Sequence, residues 1–149
     1  MDVRTDPRLE RCTPKLREII QMFAQSPKML KTELLLDFAK RMPRLPEGVE
    51  VPLERVHECQ TPFFVHAEVR DGRVALYFDA PKEAPTVRAF AGMLAEGLGG
   101  ATPEEVLDTP EDFYVPMGLS EVVSPLRLRG LEAVLRRIKR QVLERTGRA

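Results

Sequence analysis

The chain has 149 residues, 43% of them apolar, and its 23 basic and 23 acidic side chains cancel. That length suits one domain over residues 1–149, with a core that needs neither disulfides nor metal, and the even balance argues against a surface built throughout for nucleic acid or anionic lipid. The longest apolar run is five residues, Val74 to Phe78, too short for a membrane span of about 20 residues.

The first residues lack the apolar stretch of a secretory signal. The two cysteines, Cys12 and Cys59, are too few for a disulfide framework and predict free thiols in a cytoplasmic protein. A hydroxyl can accept a bond from an orphan helix N–H, and proline at the first helical position gives up nothing. Thr13-Pro14, Ser26-Pro27, Thr102-Pro103, Thr109-Pro110 and Ser124-Pro125 therefore each predict a helix start. The first helix carries Leu16, Ile19, Ile20, Phe23 and Ala24 on one face. The second, after Ser26, places Leu30, Leu34, Phe38 and Met42 one turn apart. It stops at Pro43, leaving Lys40 and Arg41 where cations suit the helix dipole. Pro43, Pro46, Gly48 and Pro52 then make an extended connector.

Residues 53–58 predict a short strand, and residues 62–79 a hairpin about Asp71-Gly72, a pair suited to the positive φ of a type I′ turn. That turn sets Val69 opposite Val74, Ala67 opposite Leu76 and Val65 opposite Phe78 on one face, so turn and hydrophobic pattern agree on a register. Phe64, His66, Glu68, Tyr77 and Asp79 take the other face. A helix from about Pro85 buries Val87, Phe90, Ala91, Leu94 and Leu98 and ends at Gly99-Gly100. Short helices are expected near Pro103, where Thr102 and Glu105 complete a capping box, and near Pro110. The last helix runs from Pro125 towards Glu144 with Leu128, Leu131, Leu135, Ile138 and Val142 inward. The fold class is α+β, a small antiparallel sheet of about three strands packed against several helices.

Charge is uneven along the chain. Residues 89–126 hold seven acidic side chains and no lysine or arginine, and residues 127–148 hold eight basic and two acidic ones. The plain expectation is that the basic helix folds against the acidic segment; the sharper one is a docking surface for an oppositely charged protein. No nucleic-acid motif or aromatic platform accompanies the basic helix, which predicts no nucleic-acid partner.

Cys59 stands out. It lies in His57-Glu58-Cys59-Gln60-Thr61-Pro62, where Pro62 and the polar neighbours predict a loop at the end of the sheet. A structural cysteine more often sits inside an apolar run. Three chemistries could use this thiol. Tetrahedral zinc needs about four ligands, and two His with two Cys and no Cys-x-x-Cys make a poor set. A Cys–His hydrolase needs an aligned base, an orienting group and an oxyanion hole; His57 could be near, but nothing supplies the rest. Sulfur exchange asks only for a thiol, a loop to present it and a partner. Cys12, before a helix cap near a loose terminus, reads as an unimportant thiol, and His66, facing Tyr77 across the hairpin, as a structural histidine.

A set of ordered fragments resembles the SufE family of sulfur-acceptor proteins in bacterial iron–sulfur cluster assembly. They are Arg41-Met42-Pro43-x-Leu45, Cys59-Gln60-Thr61, Thr102-Pro103-Glu104-Glu105-Val106, Leu119, and Ser124-Pro125-x-Arg127-x-x-Gly130-Leu131, spanning about residues 30–142. The resemblance implies a fold akin to the iron–sulfur scaffold proteins (SufE/IscU-like). It implies that Cys59 accepts persulfide sulfur from a cysteine desulfurase (SufS-like), stimulates that enzyme, and passes sulfur to an assembly scaffold (SufB-like). It also implies that Arg127 serves the acceptor site and docking. The protein is then a sulfur-transfer accessory without a cofactor of its own, the pyridoxal phosphate being the desulfurase's. Positively charged Arg127 and protonated His57 are the candidates to favour the Cys59 thiolate. Where the family more often has glycine before the cysteine, this chain has Glu58. Glycine would leave the loop freer, and a carboxylate opposes ionisation of the thiol. Two other readings stay open, a regulator that binds the desulfurase without taking sulfur and a stand-alone thiol enzyme.

Overall fold

The hairpin is the reference point of the structure, a computed structural model that describes residues 3–147. Asp71 and Gly72 both take positive φ, 51° and 75°. They join β2 (Phe64–Arg70) to β3 (Arg73–Asp79) in the register the turn predicts, with Val65 opposite Phe78, Ala67 opposite Leu76 and Val69 opposite Val74. β1 is shorter than residues 53–58: it is Glu54–Arg55 alone, paired with Val65 and Phe64 on β2. The antiparallel order is β1-β2-β3.

The described residues form five α-helices, α1 (Pro14–Gln25), α2 (Lys28–Lys40), α3 (Pro85–Leu98), α4 (Pro103–Asp108) and α5 (Pro125–Thr146); α5 packs on β2, and α1 and α2 pack on α3. Because β1 stops after two residues, the Ala67 N–H of β2 has no strand to bond. Gln141 of α5 accepts it instead, at 2.6 Å, so α5 covers the sheet edge that β1 leaves open. His66 is buried on β2 between Glu68 (3.3 Å) and Arg145 of α5 (3.4 Å), a structural place. α3 is buried on every side from Ala89 to Leu94. Its glycines let neighbours approach: a Cβ at Gly92 would stand 2.1 Å from the Phe38 carbonyl oxygen of α2, and one at Gly97 would stand 2.9 Å from Leu16 of α1.

Thr13, Thr102 and Ser124 cap α1, α4 and α5 as predicted, and Glu105 closes the capping box. Two Ser/Thr-Pro pairs behave differently. Ser26 and Thr109 follow a helix directly, and each hydroxyl donates back to it, to Met22 O (2.8 Å) and Glu105 O (2.9 Å). α2 then starts without a side-chain cap. After Pro110 the chain forms turns and a 3-10 turn at Leu119–Glu121 instead of the expected short helix.

The buried face of α2 also differs from expectation. A strict i+4 stripe drifts round a helix by about 40° at each step. The core instead takes Lys31, Leu35, Phe38 and Ala39, while Leu30 is exposed and Leu34 half-buried. Lys31 tolerates burial because its stem lies along apolar surface while its Nζ meets Ser26 O at 2.8 Å and Glu121 at 2.7 Å.

The N-terminal segment is ordered in 3-10 turns at Val3–Thr5 and Pro7–Arg11. Cys12, expected near a loose end, is in the core at 5% exposure with its thiol donating to Arg8 O (3.2 Å). Charge pairing is likewise redistributed. Arg136 reaches Glu111 at 3.6 Å, but Arg8 and Arg11 take Asp112 (3.1 Å) and Asp108 (3.3 Å). Among the described residues, no helix is long and apolar enough to cross a membrane.

Candidate functional site

The early end of β1 builds the site. Val56 still bonds β2, its N–H donating to Phe63 O at 2.8 Å, and the chain then leaves the sheet in a turn over residues 57–62. Inside that turn the Cys59 N–H donates to Val56 O at 3.1 Å. The polar neighbours predict a loop rather than a place in the core; the structure forms the loop but turns the thiol inward, at 8% exposure, while His57, Glu58 and Gln60 stay exposed. Flanking polarity misleads here because a tight turn can bury one residue and expose those on either side.

The thiol rests on the second turn of α5. Gly130 makes room for it: a Cβ at that position would lie 2.9 Å from Cys59 Sγ. Thr61, Val87 of α3, and Leu126 and Arg127 of α5 complete a small pocket of about 20 Å³ beside the sulfur, enough for one water-sized sphere. Gly130→Ala should therefore push the thiol from its seat. Sulfur is the movable end of a side chain and alanine suits a helix better than glycine, so Tm should stay within about 3 °C. Alkylation of Cys59 should nevertheless rise several-fold; an unchanged rate would mean that the glycine seat does not hold the thiol.

Burial pushes the Cys59 thiol up to about 11, Glu58 adds to the rise, and Arg127 and Arg137 oppose it. At pH 7 such a thiol is ionised in about one molecule in ten thousand. Closed, the site is a poor nucleophile. Arg127 lies exposed on the rim, in the first turn of α5, its N–H donating to Ser124 Oγ at 3.3 Å. A cation there opposes the helix dipole by about 0.3–1 kcal/mol, and Arg127 makes no ion pair among the described residues. Helix stability does not account for it. His57 is exposed in the same turn as Cys59. Cys12 is also held near 11 by burial but lies against the backbone of Arg8.

Two residues of the site escape a reading of the sequence, Gly130 as the thiol's seat and Arg137, whose guanidinium bonds Glu54 (2.6 Å) and Glu58 (2.7 Å). Helical spacing carries the signal. Arg127, Gly130, Arg137 and Gln141 recur at intervals of three, seven and four residues, which puts them on one stripe of α5.

The family model of SufE, described as an Fe-S metabolism associated domain, matches residues 17–142. The chain belongs to the SufE family. An uncharacterised SufE-like protein of Mycobacterium tuberculosis (strain ATCC 25618 / H37Rv) is 47% identical over 131 residues, 87% of this chain and 92% of its own length. A cysteine desulfuration protein SufE of Plasmodium vivax is 25% identical over 131 residues, 85% of this chain and 52% of its own. The solution structure of a hypothetical protein from Thermus thermophilus shares the fold at a TM-score of 0.83 and 54% identity, over 91% of this chain and 98% of that one. The SufE match takes in the Cys59 turn, Arg127 and Gly130, and ties the chain to iron–sulfur metabolism.

Proposed function

We propose that the protein is a sulfur acceptor, taking persulfide sulfur from a cysteine desulfurase on Cys59 and passing it to an iron–sulfur assembly scaffold. The observation that carries this reading is a free thiol held in a turn over a one-atom pocket, with an arginine on its rim that makes no ion pair among the described residues. In the step proposed, the Cys59 thiolate attacks the outer sulfur of the desulfurase persulfide. A new S–S bond forms at Cys59, the old one breaks, and the desulfurase cysteine leaves as thiolate. The proton lost from Cys59 matches the one the leaving thiolate can take up.

The closed thiol is too weakly acidic for this, so docking has to swing the turn outwards and bring Cys59 beside a cation. Arg127, exposed and lining the pocket beside the thiol, is the cation on hand, and a protonated His57 would add to it. Alignment of three sulfurs supplies most of the rate, because it makes the displacement intramolecular. When the turn closes again, the pocket over Val87 and Gly130 suits the outer sulfur and shelters it from reductants. Pyridoxal phosphate stays with the desulfurase, and the chain brings no cofactor. Free thiols fit a reducing compartment such as the cytoplasm.

The test is to follow alanine release by a cysteine desulfurase with and without the chain. Turnover should rise when the chain is added, and Arg127→Ala should lower that stimulation about tenfold, the scale of one charge-assisted contact, with Tm unchanged. Unstimulated turnover, with no sulfur on the chain, would overturn the proposal; full stimulation by Arg127→Ala would remove that arginine from the site.

A further inference from the structure

The Cys59 turn is tied to the rest of the molecule unevenly. Among the described residues its backbone makes one bond to other backbone, Cys59 N–H to Val56 O, and that bond lies inside the turn. Among the described residues, the polar contact that fastens the tip of the turn to another element is Glu58 with Arg137 of α5, at 2.7 Å. The same guanidinium bonds Glu54 at 2.6 Å. Glu54 is fixed: it starts β1, and Arg140 and Gln141 of α5 also bond it. Glu58 has Arg137 as its side-chain partner, and its own side chain is 47% exposed, open to solvent and to a partner. Arg137 therefore bridges an immobile carboxylate and one that rides beside the thiol.

We propose that Arg137 is a positioning residue: its bond to Glu58 latches the Cys59 turn against α5, and release of that bond admits attack on the thiol. Glu54 keeps the guanidinium in place when Glu58 leaves, so the latch can close again without rebuilding its anchor. A partner that offers Glu58 a cation opens it. The role of such a gate rests on Cys59 being the sulfur acceptor, but the latch itself can be measured without any desulfurase.

The experiment is alkylation of the folded protein by iodoacetamide near neutral pH, with Cys59 and Cys12 read separately by peptide mass spectrometry. Arg137→Gln should speed labelling of Cys59 about fivefold, the population shift that losing one partly exposed ion pair brings, and leave Cys12 unchanged. The sign is diagnostic. Arg137 also favours the thiolate, so its loss without a latch would slow Cys59. Slower or unchanged labelling of Cys59 overturns the proposal. So does a parallel rise at Cys12, which reports loosening of the whole fold. Glu58→Gln provides a readout independent of thiol ionisation: amide hydrogen exchange at Cys59 should quicken while that of Leu94 in α3 stays slow, and unchanged exchange at Cys59 also overturns the latch. Failure of sulfur transfer to Cys59 would leave all these rates as they are, so the two ideas fail separately.

Discussion

Cys59→Ser should fold, pair with a desulfurase and gain no sulfur. The oxygen is smaller than the sulfur it replaces and enters a site where Cys59 Sγ makes no hydrogen bond among the described residues, so burying it costs about 1–3 kcal/mol. That is a fraction of a typical stability of about 5–15 kcal/mol, and Tm should fall by roughly 3–10 °C. Function should respond on another scale. A hydroxyl does not form a persulfide, so intact mass after incubation with desulfurase and cysteine should show no added sulfur at any time point. Stimulation of the desulfurase separates two readings. If turnover needs a sulfur acceptor, the variant should stimulate poorly; full stimulation by Cys59→Ser would favour a regulator that acts by contact alone.

Gly92→Ala should be the most damaging single methyl group in the molecule. Its Cβ would stand 2.1 Å from the Phe38 carbonyl oxygen and 2.9 Å from the Phe38 carbonyl carbon. Those are backbone atoms of α2, so no side chain can rotate away and the two helices must part. Parting them loosens Phe38 from Phe23, whose rings stack at 5.8 Å between centroids, and disturbs α3, which also carries Val87 at the Cys59 pocket. Overpacking of this kind costs about 3 kcal/mol or more, a fall in Tm of roughly 6–12 °C. Thermal unfolding followed by circular dichroism measures it; a Tm within about 2 °C of the parent would contradict the close approach of α2 and α3. Gly130→Ala is the informative contrast, since the atom it meets is a movable sulfur.

Elements whose local chemistry and burial pattern agree are legible in the sequence. Asp71-Gly72 and the alternating valines set the hairpin register, and the inward faces of α3 and α5 follow from spacing because both lie on the core for their whole length. Where two signals compete, the reading slips. The hydroxyls of Ser26 and Thr109 could cap the next helix or close the previous one, and the previous one wins. Lys31 hides a core position on α2 because its cation is satisfied by partners distant from the helix face. At the site, the cysteine and Arg127 are conspicuous as residue types. Spacing puts Arg127, Gly130 and Arg137 on one stripe of α5, but the burial of Cys59, its seat on Gly130 and the bridge through Arg137 depend on how that stripe crosses the end of the sheet, which spacing does not encode.

The most direct measurement is the location of sulfur on the unaltered protein. After incubation with a cysteine desulfurase and cysteine, the chain is trapped with an alkylating reagent, digested and mapped. The extra sulfur should be found on the peptide that carries Cys59, with Cys12 unmodified. Sulfur on Cys12, or none on either cysteine while the desulfurase turns over, would contradict a transfer centred on Cys59.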